Sequence, residues 1–189
     1  MLAYLFWHAP SADVDPRDYE TALLDFLRDL SSAPPAGFGS CTTYRISEVA
    51  WLNNQPGYED WYFVRSSADL DALNEAAVKP SRWDVHAAVA QKMGVGHGGL
   101  YRHLHGQEQP RDGARAAWLT RPRGIRYQDQ LQKIIDQSAG FLSCWRRQMV
   151  LGPGDEFVIV GTSELRMSVP EGWRARLVQR TILGPQPAH

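Results

Sequence analysis

The sequence predicts an α+β fold of two ferredoxin-like units, each ordered β-α-β-β-α-β, fused in one chain with their sheets packed face to face. A short motif recurs, since residues 36–41 read AGFGSC and residues 139–144 read AGFLSC. Strand and helix patterns follow in the same order in both parts of the chain. Each strand of the first part also has a face that combines aromatic side chains with histidine or arginine, and such a face needs a cover.

In the first unit, residues 1–105, the aromatic run Leu2–His8 predicts the opening strand. Asp15 and Pro16 are typical of a helix start, and apolar side chains recur at helical spacing from there to Leu30. The elements expected next are a strand over Ser40–Leu52, a turn over Asn53–Gly57, a strand over Trp61–Arg65, helices over Ser67–Val78 and Ser81–Lys92, a glycine-rich turn over Gly94–Gly99 that could gate a cavity, and a strand over Leu100–His105.

The second unit, residues 116–189, follows a polar linker over Gly106–Arg115. Its second helix is expected to be irregular or a single turn, because Pro170 and Gly172 interrupt residues 163–173. Its other expected elements are a strand over 116–120, a helix over 126–137, strands over 142–151 and 156–161, and a strand near 175–182. The alignment of the units places Cys41 over Cys144, Tyr4–Pro10 over Ala116–Pro122, and Tyr58–Val64 over Gly154–Val160.

Composition excludes several function classes. The chain has 20 basic and 21 acidic residues and shows no basic patch, so a nucleic acid is not an expected partner. No apolar run is long enough to span a bilayer, and residues 2–7 lack the preceding basic region of a signal peptide. Two cysteines make no disulfide framework, and their matched positions favour a structural role. We therefore expect a cytoplasmic protein with reduced thiols and no membrane partner.

The element order and the duplication resemble the dimeric α+β barrel superfamily. Its members include antibiotic-biosynthesis-type monooxygenases, EthD-like proteins and the haem-binding chlorite dismutase group. The resemblance covers nearly the whole chain but includes no family motif, so no catalytic residue is transferred from it. It implies two sheets around a cavity that holds a small hydrophobic molecule or haem. The sequence leaves the oligomeric state open, with a homo-oligomer as one option.

The candidate site is the inward sheet face of the first unit. His8 and His103 are the catalytic candidates, because a neutral imidazole can act as a base. The sequence favours the alternative for His8, a partly exposed histidine at a strand end. His103 and His105 could hold a metal only with a third ligand, so a metal is not expected. The predicted ligand-binding residues are Phe6, Tyr44, Trp61, Phe63, Tyr101 and Arg147.

Three functions remain open from the sequence. The first is a small monooxygenase-like oxidoreductase that acts on a hydrophobic or aromatic compound inside the barrel. The second is a non-catalytic binder of haem or of an apolar ligand, with haem as the one suggested cofactor. The third is a structural or interaction protein with a filled barrel. The sequence does not decide whether the protein is an enzyme, because fold analogy alone does not establish chemistry.

Overall fold

Antiparallel strands close into a barrel in the computed structural model, which describes residues 1–110 and 113–184. The strands are β1 Leu2–Pro10, β2 Phe38–Val49, β3 Gln55–Val64, β4 Met93–Gly106, β5 Arg115–Thr120, β6 Ala139–Arg147, β7 Phe157–Arg166 and β8 Arg174–Gly184. Around the barrel they run β1-β3-β2-β8-β5-β7-β6-β4. Positions 111–112 of the predicted linker and positions 185–189 of the predicted second unit lie outside the described residues.

The helices lie outside the barrel. They are α1 Pro16–Ser32, α2 Asp69–Val78, α3 Trp83–Ala90 and α4 Gln128–Asp136, with short 3₁₀ turns at Ala50–Leu52 and Pro80–Arg82. Helix α1 starts as predicted, because the Asp15 side chain accepts a hydrogen bond from the backbone N–H of Arg17 at 2.7 Å. Its apolar face, from Tyr19 to Leu30, is buried against the sheet. The predicted α+β barrel is confirmed.

The strands of the two halves stand in the same order. The first half is β4-β1-β3-β2, and the second half is β8-β5-β7-β6. Cys41 lies opposite Tyr62 on the third strand of its half, and Cys144 lies opposite Ile159 on the third strand of its own. Both cysteines are buried on the side of the sheet that faces the helices. This order agrees with the tandem-repeat interpretation, which stays a prediction.

The residue alignment outside the cysteine motif was wrong by one position. Tyr4 lies opposite Tyr62, whereas Ala117 lies opposite Ile159. Matching the halves through their cysteines therefore pairs Tyr4 with Ala117 and not with Ala116. A shift of one residue sends every side chain of a strand to the other face, so this error exchanged inward and outward positions.

The glycine-rich segment Gly94–Gly99 is not a turn, because β4 begins at Met93 and pairs with β1 along this stretch. The glycines make room for large side chains of the neighbouring strand. A Cβ on Gly96 would lie 2.7 Å from the Phe6 ring, and a Cβ on Gly98 would lie 2.6 Å from the Tyr4 hydroxyl. Glycine in a strand commonly marks such a close approach, and the pairing with β1 leaves this stretch part of the sheet and not the loop that the sequence indicated.

Several further boundaries differ from prediction, including that of β6, which was expected over 142–151 and spans Ala139–Arg147. Strand β2 ends at Val49, and the chain reverses at Asn53 and Asn54, which have φ angles of 58° and 56°, so residues 56 and 57 belong to β3. Strand β7 continues to Arg166, whereas residues 163–166 were expected to be irregular. The predicted absence of a helix between residues 163 and 173 is confirmed.

The barrel interior is filled with large side chains. Trp7, Trp61, Trp118 and Trp145 point into it and are almost completely buried. Two further apolar clusters lie between the outer side of each half and its helices. Within the described ranges, none of the helices has the length and apolar character that crossing a membrane requires.

Candidate ligand pocket

A cavity of about 460 Å³ lies between the helix-facing side of β1 and β3 and helices α1, α2 and α3. Its walls are mostly apolar or aromatic, and a few polar groups converge on it, as in small-molecule sites. The aromatic lining residues are Tyr4, Phe6, Phe26 and Tyr62, and the polar or charged ones are His8, Asp60, Asp71, Asn74 and His86. Leu23, Leu30, Leu70, Leu73, Ala77, Val89, Ala90 and Met93 complete the lining.

The floor of the pocket is a buried histidine–aspartate pair. Phe6 lies opposite Asp60 and His8 opposite Tyr58, so β1 and β3 present His8 and Asp60 on the same side of the sheet. His8 Nε2 is 3.1 Å from Asp60 Oδ2, and His8 Nδ1 is 2.7 Å from the Tyr19 hydroxyl. Both side chains are almost inaccessible to solvent. The pair therefore has a fixed orientation.

Three donors hold the Asp60 carboxylate. Thr43 Oγ1 donates to Oδ1 at 2.7 Å, and Tyr62 Oη donates to Oδ2 at 2.9 Å, beside the contact with His8. Burial, reinforced by Asp60, raises the pKa of Tyr62 well above its usual value, and burial likewise raises the pKa of Tyr19. Both phenols therefore stay protonated at neutral pH and remain donors.

The His8 ring has no free nitrogen and no free face. Phe6 stacks on it at 5.1 Å and Tyr58 at 5.5 Å between ring centroids. With the proton on Nε2, His8 donates to Asp60 and accepts from Tyr19 at Nδ1. His8 and Asp60 both line the cavity, so a ligand in the pocket meets the pair at its floor.

Tyr4 and His86 are the polar rings of the pocket that a ligand can meet directly. Among the described residues, neither ring has a hydrogen-bonding partner in the protein. Burial, with a smaller contribution from Asp60, raises the pKa of the Tyr4 hydroxyl, so it too remains a donor. His86 packs edge-on against Phe26 at 5.6 Å. His86 is half-buried on α3 and lines the cavity.

The predicted site residues do not share one cavity. Phe6 and His8 face the helices, whereas Trp61 and its neighbours on other strands face the barrel interior. Because side chains alternate along a strand, its residues divide into two sets that point to opposite faces of the sheet. This alternation does not show which set of the neighbouring strand points to the same face. The expected cavity between the sheets is wrong in position. Four of the predicted ligand-binding residues belong to the filled barrel interior, namely Tyr44, Trp61, Phe63 and Tyr101.

His103 and Arg147 lie away from the pocket. The His103 ring is 4.9 Å from Trp145, its Nε2 is buried without a partner, and burial lowers its pKa. Arg147 Nη1 donates to the carbonyl of Gly152 at 3.0 Å and so holds the turn between β6 and β7. The described residues contain no group of three or more potential metal ligands near His103 and His105 or elsewhere. The catalytic assignment of His103 stays a prediction without a cavity to support it.

A buried ion pair joins the two halves inside the barrel. Glu59 Oε1 accepts from Arg180 Nη1 at 2.8 Å and from Trp61 Nε1 at 2.7 Å, and Oε2 accepts from Trp7 Nε1 at 2.8 Å. Both charged side chains are fully buried. Removing one partner from such a pair leaves an uncompensated buried charge, so we assign Glu59 and Arg180 a structural role.

Sequence reasoning missed Asp60, Tyr62 and Tyr4. A signal for Asp60 was present, because residues 58–64 read YEDWYFV and an acidic pair inside an apolar strand breaks the usual burial rule. The expected structural role of the cysteines agrees with their surroundings. Burial raises the pKa of both the Cys41 and the Cys144 thiol to about 12, so neither is a thiolate at neutral pH.

No protein-family model matches the sequence, and no curated protein matches it. Solved structures do. An anthrone oxidase-like protein has 14% identity and a TM-score of 0.52, over 99% of this chain and 95% of that one. A protein from Lactobacillus acidophilus NCFM provisionally named a monooxygenase has 8% identity and a TM-score of 0.52, over 96% and 94%. A protein provisionally named a chlorite dismutase has 8% identity and a TM-score of 0.52, over 97% and 95%.

At these identities the likeness shows the fold alone. It agrees with the α+β barrel architecture described above. The charge of the described lining does not fit haem, because it holds Asp60 and Asp71 but no lysine or arginine to meet the propionates. Both nitrogens of His8 already have partners, which leaves His86 as the imidazole of that lining with a nitrogen free for iron.

Proposed function

We propose that the protein binds a small hydrophobic or aromatic molecule in the pocket between the first half of the barrel and its helices, and oxidises it in a monooxygenase-like reaction. One observation carries this proposal: an apolar, aromatic cavity ends on a single buried polar network around Asp60. Ionisable groups buried in this way cluster at functional sites. The names of two structural neighbours, an anthrone oxidase-like protein and a provisional monooxygenase, agree with this reaction class.

The aromatic lining suits a flat ring system. Tyr4 and Phe6 stand nearly parallel, with ring planes 19° apart, and Phe26 and Tyr62 also line the cavity. An aromatic ligand would gain from burial of its surface and from ring contacts. The Tyr4 hydroxyl would donate to a carbonyl or hydroxyl oxygen of the ligand. The pocket therefore binds and orients a ring system that carries one oxygen substituent.

The Asp60–His8 pair would act as the base. An aromatic ketone with an acidic CH₂ group gives its proton to the Asp60 carboxylate, which His8 holds in place. The resulting electron-rich anion is oxidised by dioxygen. One oxygen atom replaces the two hydrogens of the CH₂ group as a carbonyl, and the other leaves as water with those hydrogens. The apolar walls keep bulk water from the anion.

Oxygen uptake with anthrone as the probe tests the reaction. We expect one dioxygen consumed per anthrone at a rate above the uncatalysed oxidation. Asp60→Asn should lower that rate by about 10²-fold or more, the usual contribution of a positioned base. Asp84→Asn is the matched control, because Asp84 is an exposed carboxylate on α3 that does not line this cavity. A wild-type rate equal to the background would refute the enzymatic part of the proposal.

A non-catalytic binder is the second candidate, and the full occupation of the His8 nitrogens favours it. In that case the polar floor fixes the orientation of a ligand and transfers no proton. Calorimetric binding of anthrone without oxygen uptake, unchanged in Asp60→Asn, would select this candidate. Absence of both binding and oxygen uptake would leave the cavity as a packing defect and overturn both proposals.

A further inference from the structure

We infer that the pocket takes neutral or cationic aromatic ligands and rejects aromatic carboxylates, an inference that rests on the ligand-binding function proposed above. The described residues that line the cavity include two carboxylates, on Asp60 and Asp71, and no lysine or arginine. A carboxylate that leaves water for an apolar cavity needs a cation or several strong donors to replace its hydration. This pocket offers no permanent cation.

The floor cannot supply a net positive charge. Asp60 and His8 form one hydrogen-bonded pair, and two neutral hydroxyls, on Thr43 and Tyr62, complete the contacts of the carboxylate. With a neutral imidazole the pair is an anion, and with a protonated imidazole it is neutral overall. Neither state attracts a second carboxylate, and the first repels it.

The other polar groups of the lining are Tyr4, Asn74 and His86. The first two are uncharged donors, and His86 is the only imidazole of the described lining without a protein partner. Asp71 is solvent-exposed on α2, where an approaching ligand meets it before the buried floor. An ammonium group would instead gain from the carboxylates and from the faces of Tyr4 and Phe26.

The half of the chain that contains the pocket has a net negative charge, the same sign as the carboxylates of the lining. Residues 1–105 carry 13 acidic and 8 basic side chains, whereas residues 106–189 carry 8 acidic and 12 basic ones. The pocket lies entirely in the first range. The distant charges thus add to the local field, and both oppose the entry of an anion.

Three naphthalene ligands that differ in one substituent test the inference. They are 2-naphthalenemethanol, 2-naphthylmethylamine and 2-naphthoate, titrated calorimetrically at about pH 8, where histidine carries little charge. We expect 2-naphthoate to bind at least about tenfold more weakly than either of the others, as one screened charge contact of moderate strength predicts. Equal or tighter binding of 2-naphthoate would overturn the charge selection while leaving the pocket proposal intact.

Failure of all three ligands to bind would instead overturn the proposed pocket, and the charge selection with it. A variant then locates the effect. Asp71→Asn should reduce severalfold the ratio between the binding constants of 2-naphthylmethylamine and 2-naphthoate. Glu75 is an exposed acid on the same helix that does not line the cavity, so Glu75→Gln should leave that ratio unchanged. Equal effects of the two variants would overturn the assignment of the selection to the lining.

Discussion

On the helix-facing side of the first half, His8 and Asp60 lie under a cavity of about 460 Å³. When the halves are matched through Cys41 and Cys144, the corresponding residues of the second half are Arg121 and Phe157. Arg121 is paired with Glu156 at 2.8 Å, and Phe157 is fully buried in an apolar cluster. The same strand order therefore supports a polar floor in one half and a filled core in the other.

The covers of the two sides explain much of this difference. Three helices, α1 to α3, cover the first half, whereas α4 covers the second together with the irregular residues 167–173. That short segment places Trp173 directly on Phe157, with ring centroids 5.8 Å apart, and Trp173 Nε1 donates to Gln130 on α4. A large side chain thus fills the second half, while the helices of the first leave a space between them.

On its helix-facing side the first half buries ionisable groups, whereas the matching positions of the second half hold Phe157 and the partly exposed Arg121. Burial of a carboxylate and an imidazole is unfavourable unless each hydrogen-bonding group is satisfied, and here Thr43, Tyr62 and Tyr19 complete the network. Positions that break the burial rule in this way are expected at functional sites. The comparison therefore favours the first half as the location of the proposed ligand site.

The largest expected effect comes from breaking the polar floor. Asp60→Ala would leave His8, Thr43 and Tyr62 without their shared acceptor, and should lower the free energy of unfolding by about 3–5 kcal/mol. Asp60→Asn keeps an acceptor oxygen, so its free energy of unfolding should fall by less. Urea denaturation monitored by circular dichroism measures both. A loss under about 1 kcal/mol for Asp60→Ala would mean that the network contributes little to the first half.

Emptying the filled side should give the next largest effect. Trp173→Ala removes a nearly buried ring from the second half and should lower the free energy of unfolding by about 3 kcal/mol. It should also create a cavity opposite the natural one, detectable as a second, weak site for a naphthalene probe in calorimetry. Trp83→Ala removes an exposed indole and is the matched control. Equal losses from the two variants would show that Trp173 does not fill the core.

Filling the natural cavity should have a small effect on the stability of the protein and a large effect on ligand binding. Ala77→Phe, on the α2 wall of the pocket, should shift the free energy of unfolding by no more than about 1 kcal/mol, because the new ring enters existing space. The same variant should abolish binding of aromatic probes in calorimetry. Ala72→Phe is the matched control, because it adds the same ring to the same helix at a position that does not line the cavity. Retained binding in Ala77→Phe would place the ligand somewhere other than this pocket.

Much of the fold was predictable from the sequence because its cues are local. The helix start at Asp15 and the interruption at Pro170 and Gly172 are steric and capping effects of single residues. The position of the pocket was not predictable in this way. The position depends on the register between β1 and β3, which decides which side chains of the two strands lie on the same side of the sheet. A shift of one residue would put Trp7 where His8 lies.

The smallest effect concerns the barrel interior that the two halves share. The His103 ring lies on Trp145 with its Nε2 unpartnered, and burial lowers its pKa from the ordinary 6.5, while Glu108 opposes this in part. The folded state therefore binds the proton more weakly than the unfolded chain. Between the lowered pKa and 6.5 the unfolded chain carries more protons, so stability falls as the pH falls through this window.

His103→Gln should remove this contribution and flatten the dependence of stability on pH. The measurement is the urea midpoint at about pH 7.5 and about pH 5.5, and the wild-type midpoint should drop more between them than that of His103→Gln. His105→Gln, an exposed histidine two residues along β4, is the matched control. If both variants show the wild-type drop, His103 is as well solvated in the folded barrel as in the unfolded chain.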